Sequence, residues 1–305
     1  MTINDKSNLK TVFTYTGQPL AESTKIICTK VGNIKGGQDG AIYDGLMFRF
    51  DANGTGQVYS MESFIQTAEI RLEKNEILSM HSNAVCFGNT FYDPGDRFPL
   101  LYSNVYNNYS SENDRREGIC GVYRIVEDGS DFVGELVQVI KVGFTDDICW
   151  KSAPEFKDVR PYGNFIVDTM NSKLYAFTMR DTDHKTRYFS FELPELSEGV
   201  MNDSYGCRLL TLGKEDITDQ FDCDYSYYLQ GACYHENRIY SLEGFDNSSA
   251  ARPRMQVVDL AEKKTIAVMD FMSWGLVSEP EFICFYNGLL YYSDAAGQLF
   301  SFEFI

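Results

Sequence analysis

Five segments of this chain share one plan, and that repeat limits the possible folds more than any local propensity does. In each, a small or polar group leads into a short apolar run, then a polar turn, then an aromatic-rich run; the segments begin near Gln38, His81, Arg160, Gln230 and Glu279. The first runs Gln38 to Phe50 around Asp44-Gly45, a two-residue hairpin signal. The second starts at His81, loops over Tyr92 to Asp96 and resumes at Pro99, with later strands at 121–125 and 136–140. The third runs 162–177 across the turn 170–173, and the fourth builds a full four-strand meander from Gln230 to Met269. The fifth, from Phe282 through Asn287-Gly288 to Phe304, holds only three strands.

Repeated four-strand meanders predict an all-β, five-bladed β-propeller, an arrangement that leaves only short sheet edges. The three-stranded fifth unit needs a partner, and Thr24 to Thr29 is expected to join the last blade and close the ring. The alternative, a pair of β-sandwich domains, uses the same short strands and turns. Long polar insertions at 104–118, 144–158 and 194–225 interrupt the spacing, and helical turns are expected near 152–156 and 214–221. One domain is expected over 1–305, with 1–10 as a flexible N-terminus.

Composition supports strand: 22 Phe and 20 Tyr stand against 2 Trp, and aromatic side chains favour pleated, half-buried surfaces. A formal charge of −17 repels phosphate backbones and anionic lipid, so neither a nucleic-acid nor a membrane partner is expected. The N-terminus carries no apolar stretch of signal-peptide length, which predicts a cytoplasmic protein. The eight cysteines form no Cys-x-x-Cys pair and lie mostly in apolar runs, as buried reduced thiols do. No second His lies at ligand spacing from His81, so neither a metal nor another cofactor is expected.

In a propeller the first strand of each blade faces the centre, so the repeat starts converge on a channel mouth. That collects Asp39, Glu279 and Glu281 as candidate catalytic carboxylates. His81, Asn83, Arg160, Tyr162 and Gln230 join them as candidate ligand contacts, with Tyr228 as a stacking platform. Paired carboxylates are the machinery of glycoside hydrolysis, one as acid and one as nucleophile or base.

At this point the chain resembles, in architecture, the five-bladed glycoside hydrolases related to invertases and arabinanases. Those enzymes carry an Asp on the first blade, an Arg-Asp-Pro in the middle and a late Glu-Cys-Pro. Here Asp39, Arg160-Pro161 and Glu279-Pro280 stand in those places, without the middle Asp or the Cys. The stretches 81–89 and 159–165 also look like those of a group of uncharacterised bacterial five-bladed propeller proteins. The resemblance implies a glycosidase-like, carbohydrate-active protein acting at the channel mouth. The alternatives are a non-catalytic propeller that binds a sugar or other small ligand, and a protein-interaction scaffold docking partners through its insertions.

Overall fold

The computed structural model describes residues 10–14, 25–105, 118–142, 163–180, 184–245 and 251–304. The chain opens with β1 (Lys10–Thr14) and β2 (Lys25–Asn33), followed by β3 (Gly40–Tyr43), β4 (Leu46–Phe50), β5 (Thr55–Ser60) and β6 (Gln66–Leu72). One helical turn, α1 (Asn75–Leu78), precedes β7 (Val85–Phe87), β8 (Leu101–Val105), β9 (Ile119–Asp128) and β10 (Asp131–Val142). Then come β11 (Asn164–Asp168), β12 (Lys173–Arg180), β13 (Lys185–Glu192), β14 (Val200–Asn202), β15 (Cys207–Leu212) and β16 (Asp219–Asp224). The last strands are β17 (Leu229–His235), β18 (Arg238–Glu243), β19 (Arg254–Asp259), β20 (Lys264–Asp270), β21 (Pro280–Tyr286), β22 (Leu289–Asp294) and β23 (Gln298–Phe304).

Local chemistry explains the hairpins. Asp44-Gly45 (φ 46° and 76°), Glu236-Asn237 (46° and 61°) and Asn287-Gly288 (49° and 77°) all take the doubly left-handed turn that matches strand twist. Outer strands alternate: in β6, Ala68, Ile70 and Leu72 are buried while Glu69 and Arg71 are exposed. Central strands do not alternate, and every residue of β11 is buried, as in a strand covered on both faces.

The all-β class stands, but the five-bladed propeller closed by an N-terminal strand is corrected. The described strands form four sheets, not five. Residues assigned above to the first two units make one continuous sheet, β3-β4-β5-β6-β10-β9-β8-β7, joined by parallel pairing of Ile70–Leu72 with Phe132–Gly134. Its end strands β3 and β7 lie side by side, so the sheet is a nearly closed eight-stranded barrel. Inside it, Phe48 meets Phe87, Phe98 and Phe132 edge-on at centroid distances of 5.7, 5.3 and 5.4 Å, the arrangement that aromatic quadrupoles favour.

Three smaller sheets complete the fold: β1-β2-β23-β22-β21, β11-β12-β13-β16 and β17-β18-β19-β20. β2 does pair with β23 of the last unit, as expected, but as an interior strand with β1 on its other side rather than as the closing edge of a ring. The 194–225 insertion also differs from expectation. It contains β14, β15 and β16, with only a 3-10 turn at Lys214–Asp216, and β15 extends the large sheet by pairing parallel to β10. The 152–156 expectation lies outside the described residues, as does the 1–9 part of the expected flexible terminus. The seven described cysteines are free thiols, buried except for half-buried Cys284. No described helix is long and apolar enough to cross a membrane.

What positions the site is the gathering of β3, β7, β11, β17 and β21, each lying against the next around a common centre. Polar residues lead into the starts of these strands. At their far ends β3, β7 and β21 finish on aromatic residues, whereas β11 ends at Asp168 and β17 at His235.

Candidate functional site

Asp39, which leads into β3, is fully buried. Its Oδ2 accepts hydrogen bonds from the backbone N–H of Val85 (2.9 Å) and Ala232 (3.3 Å), and its Oδ1 from that of Ile283 (3.2 Å). One carboxyl thus ties β7, β17 and β21 to β3. Burial pushes its pKa up to about 8, against the pull of the Val85, Gly40 and Ile283 N–H groups and of Arg49. Gly231 makes this approach possible: a Cβ there would lie 2.3 Å from the Glu281 carbonyl oxygen and 2.8 Å from Asp39 Oδ1.

Beside this knot opens a cavity of about 370 Å³, lined by Gln38, His81, Asn83, Gln230, Glu279 and Glu281, with Tyr228 and Phe245 among its walls. The two rings meet edge-on at 4.6 Å and both are substantially exposed. Tyr228 sits at φ 59°, a strained conformation for a non-glycine residue that directs it from the turn before β17.

The two glutamates differ in setting. Glu279 is half-buried and accepts from Gln230 Nε2 at 2.7 Å; burial raises its pKa and that bond opposes the rise. Glu281 is 4% exposed, and its Oε1 accepts from Gln38 Nε2 at 3.4 Å. Burial holds its pKa well above the usual carboxylate range; Arg49 pulls it down, while Glu279 and Asp39 push it further up. Burial also lowers the pKa of His81, favouring the neutral imidazole.

Three oxygens at this cavity make no hydrogen bond among the described residues: Gln38 Oε1, Asn83 Oδ1 and Glu281 Oε2. All are acceptors, Glu281 Oε2 in its ionised form, and leaving buried acceptors unmade is costly. The amide nitrogens, by contrast, are committed. Asn83 Nδ2 donates to Asn164 Oδ1 and to the Leu229 carbonyl, both at 3.0 Å, and Asn164 Nδ2 donates to the Gln230 carbonyl at 2.6 Å. The cavity therefore asks for a ligand rich in N–H or O–H donors.

Of the residues expected from the sequence, His81, Asn83, Gln230, Glu279 and Glu281 meet at this cavity, with Tyr228. Asp39 lies beside it rather than in its lining, saturated by backbone donors. Arg160 and Tyr162 lie outside the described residues. Two groups were missed. Asn164 and Asn104 stitch β8 and β11 together, with Asn104 Nδ2 donating to the Gly163 carbonyl and to Asn164 Oδ1. Arg49, on β4, is fully buried, donates from Nη2 to the Gly37 carbonyl at 2.8 Å and lies 5.5 Å from the Phe282 ring centre. The sequence shows only a cation in an otherwise apolar run, Leu46 to Phe50, with nothing to say that it faces inward. No group of three or more His, Cys, Asp or Glu among the described residues is placed to hold a metal ion.

Among solved structures, a glutaminyl cyclase of Myxococcus xanthus superposes with a TM-score of 0.50 at 13% identity, covering 91% of this chain and 96% of that one. The chain shares its fold with that cyclase. A hydrazine synthase of Kuenenia stuttgartiensis aligns at a TM-score of 0.39 and 10% identity over 84% of this chain, which spans 60% of the synthase chain. No family model and no curated protein matches the sequence.

The resemblance to five-bladed glycoside hydrolases and propeller proteins is corrected accordingly, and with it the glycosidase-like, sugar-binding-propeller and propeller-scaffold readings. The fold is that of the barrel and mixed sheets described above, shared with a cyclase. The carboxylate chosen as one half of a glycosidase pair, Asp39, is held by three backbone donors.

Proposed function

We propose that this protein is an acid–base enzyme acting on a small substrate that carries a primary amine, bound in the cavity of Glu279 and Glu281. The observation that carries the reading is Glu281: a carboxyl 4% exposed, raised in pKa by burial, with one oxygen unpartnered at a cavity wall. An ammonium supplies three donors, and the cavity holds three acceptors lacking them. A net charge of −17 favours approach of such a cation. Tyr228 and Phe245 offer ring faces to the rest of the substrate or to its charge.

A carboxyl whose pKa burial has raised is suited to accept a proton and return it. Glu281, with Glu279 beside it, takes the proton from the ammonium and frees the nitrogen lone pair. That nitrogen attacks a carboxamide carbon of the same substrate, a new C–N bond forms, and the original C–N bond breaks. The proton held by the glutamate passes to the leaving nitrogen, which departs as ammonia, and the freed glutamate takes the remaining extra proton from the new ring nitrogen, leaving a neutral lactam. Cyclisation of an amino-terminal glutamine, the chemistry in the name of the Myxococcus protein, is a reaction of this class.

The test is to incubate the protein with a glutaminyl dipeptide, measuring ammonia release and the mass of the cyclised product. Turnover is expected, and Glu281→Gln should lower kcat by about 100-fold or more, the usual worth of a general acid–base group. Absence of ammonia from the wild-type protein, together with absence of calorimetrically detectable binding by the dipeptide, overturns the reading.

A further inference from the structure

The five central strands have a second end, where the chemistry is the opposite of that at the glutamate cavity. Ile42-Tyr43, Cys86-Phe87 and Cys284-Phe285, at the far ends of β3, β7 and β21, open on a separate cavity of about 420 Å³. None of its lining residues carries an ionisable acid or base of the Asp, Glu, Lys, Arg or His type. The three sulphurs there, Cys86, Cys233 and Cys284, are not reactive thiolates: burial pushes Cys86 and Cys284 up to about 12 and Cys233 well up from its ordinary value. They are neutral and polarisable, and neutral sulphur packs well against π-systems.

Its aromatic walls brace one another and are backed from outside. Phe285 stacks on His235 with ring centres 3.9 Å apart, Phe87 packs on Phe48 at 5.7 Å, and within the lining Phe87 and Tyr43 meet at 5.5 Å. Phe91, at the cavity and 42% exposed, leaves a large apolar side chain in water beside it. The one amide in the lining, Asn89, already donates to the Thr169 carbonyl and to Ser172 Oγ. The volume is that of a small-molecule site, where the lining is mainly apolar and aromatic.

We propose that this end of the central strands is a second binding site, for an uncharged, flat, apolar small molecule. Such a ligand slides between the Tyr43, Phe87 and Phe285 faces and meets sulphur rather than charge at its inner end. The two cavities then take ligands of opposite character from the two ends of one strand bundle. The glutamate site takes a cation with donors, and the thiol-lined site takes a neutral ring system. The assignment stands independently of the acid–base reading.

The probe is 1-N-phenylnaphthylamine, neutral and flat, whose fluorescence rises in apolar surroundings. Saturable binding at one site is expected, unchanged in Glu281→Gln. Filling the cavity with Cys284→Phe should weaken binding about ten-fold or more, and trimming the exposed wall with Phe91→Ala about five-fold. Non-saturable fluorescence, or loss of the signal in Glu281→Gln, overturns the proposal. So does unchanged affinity in a Cys284→Phe protein with wild-type circular dichroism. If that variant does not fold, Phe91→Ala decides alone, and unchanged affinity there overturns it.

Discussion

At the scale of single residues, the candidate site is governed by which buried polar atoms find partners. Asp39 satisfies three backbone N–H groups from three different strands, so Asp39→Ala orphans all three. At about 1 kcal/mol or more for each buried donor left unmade, the loss of stability should exceed about 3 kcal/mol, read as the fall in ΔG from urea unfolding. Gly231→Ala should cost about 1–3 kcal/mol in the same measurement, because its Cβ has backbone at 2.3 Å. Arg49 acts differently, through charge. It lowers the pKa of Glu281, so Arg49→Met should raise that pKa and move the limb of the pH–rate profile that depends on ionised Glu281 to higher pH. An unmoved profile with intact folding would show that Arg49 does not tune the glutamate. Glu279 and Glu281 were legible as carboxylates at the start of a repeat. Arg49 was not, because nothing in a five-residue apolar strand says that its one cation faces inward.

Secondary-structure elements were readable where their causes are local. Asp44-Gly45 and Asn287-Gly288 specify hairpins from two residues, since Gly accepts positive φ freely and Asx residues tolerate it, and most of the strands flanking the turns fall where alternation and aromatic content put them. The insertion at 194–225 was misread because Val200–Asn202 and Cys207–Leu212 are short and carry no aromatic residue. β15 owes its strand to pairing with β10, seen in Gln138↔Arg208 through Val142↔Leu212. The decisive element contact is β6 with β10. Val133 lies opposite Arg71 on one side and Val126 on the other, so its backbone groups face partners both ways. Val133→Pro removes a donor and inserts a ring between two strands, and should cost about 3 kcal/mol or more. A lowered urea midpoint with an unchanged slope is the expected readout; an unchanged midpoint would show that the junction adds nothing to stability.

Over the whole molecule, buried acids give stability a distinctive dependence on pH. Burial raises Asp39 from 3.8 to about 8 and Glu243 from 4.5 to about 7, the latter against its ion pair with Arg254 at 2.8 Å. A folded-state pKa above the unfolded value means that the native state binds more protons between the two. The stability these acids contribute is therefore fully present below about pH 4 and is lost progressively as pH rises through about 7 to 8. Asp96, partly buried, has the opposite sign: hydrogen bonding to Arg124 lowers its pKa, so its contribution is present above the unfolded pKa and lost in acid. The thermal midpoint should accordingly be higher at pH 6 than at pH 9, and Glu243→Gln should flatten the fall between them. A midpoint that rises toward pH 9 would contradict the assignment.

By itself the sequence determined the all-β class, most strand positions, the turns and the polar starts of the repeats. Each of these follows from residues a few positions apart: period-two burial, Gly and Asn in left-handed turns, aromatic rings on pleated surfaces. Only the tertiary structure decided that two units fuse into one nearly closed sheet, since Ile70 and Phe132 pair across 62 positions through backbone groups that every residue carries alike. It alone decided that Asp39 ties strands together while Glu281 keeps an oxygen free. Two carboxyls that each lead into a repeat part company there, because burial and the supply of N–H donors are properties of the assembled strands.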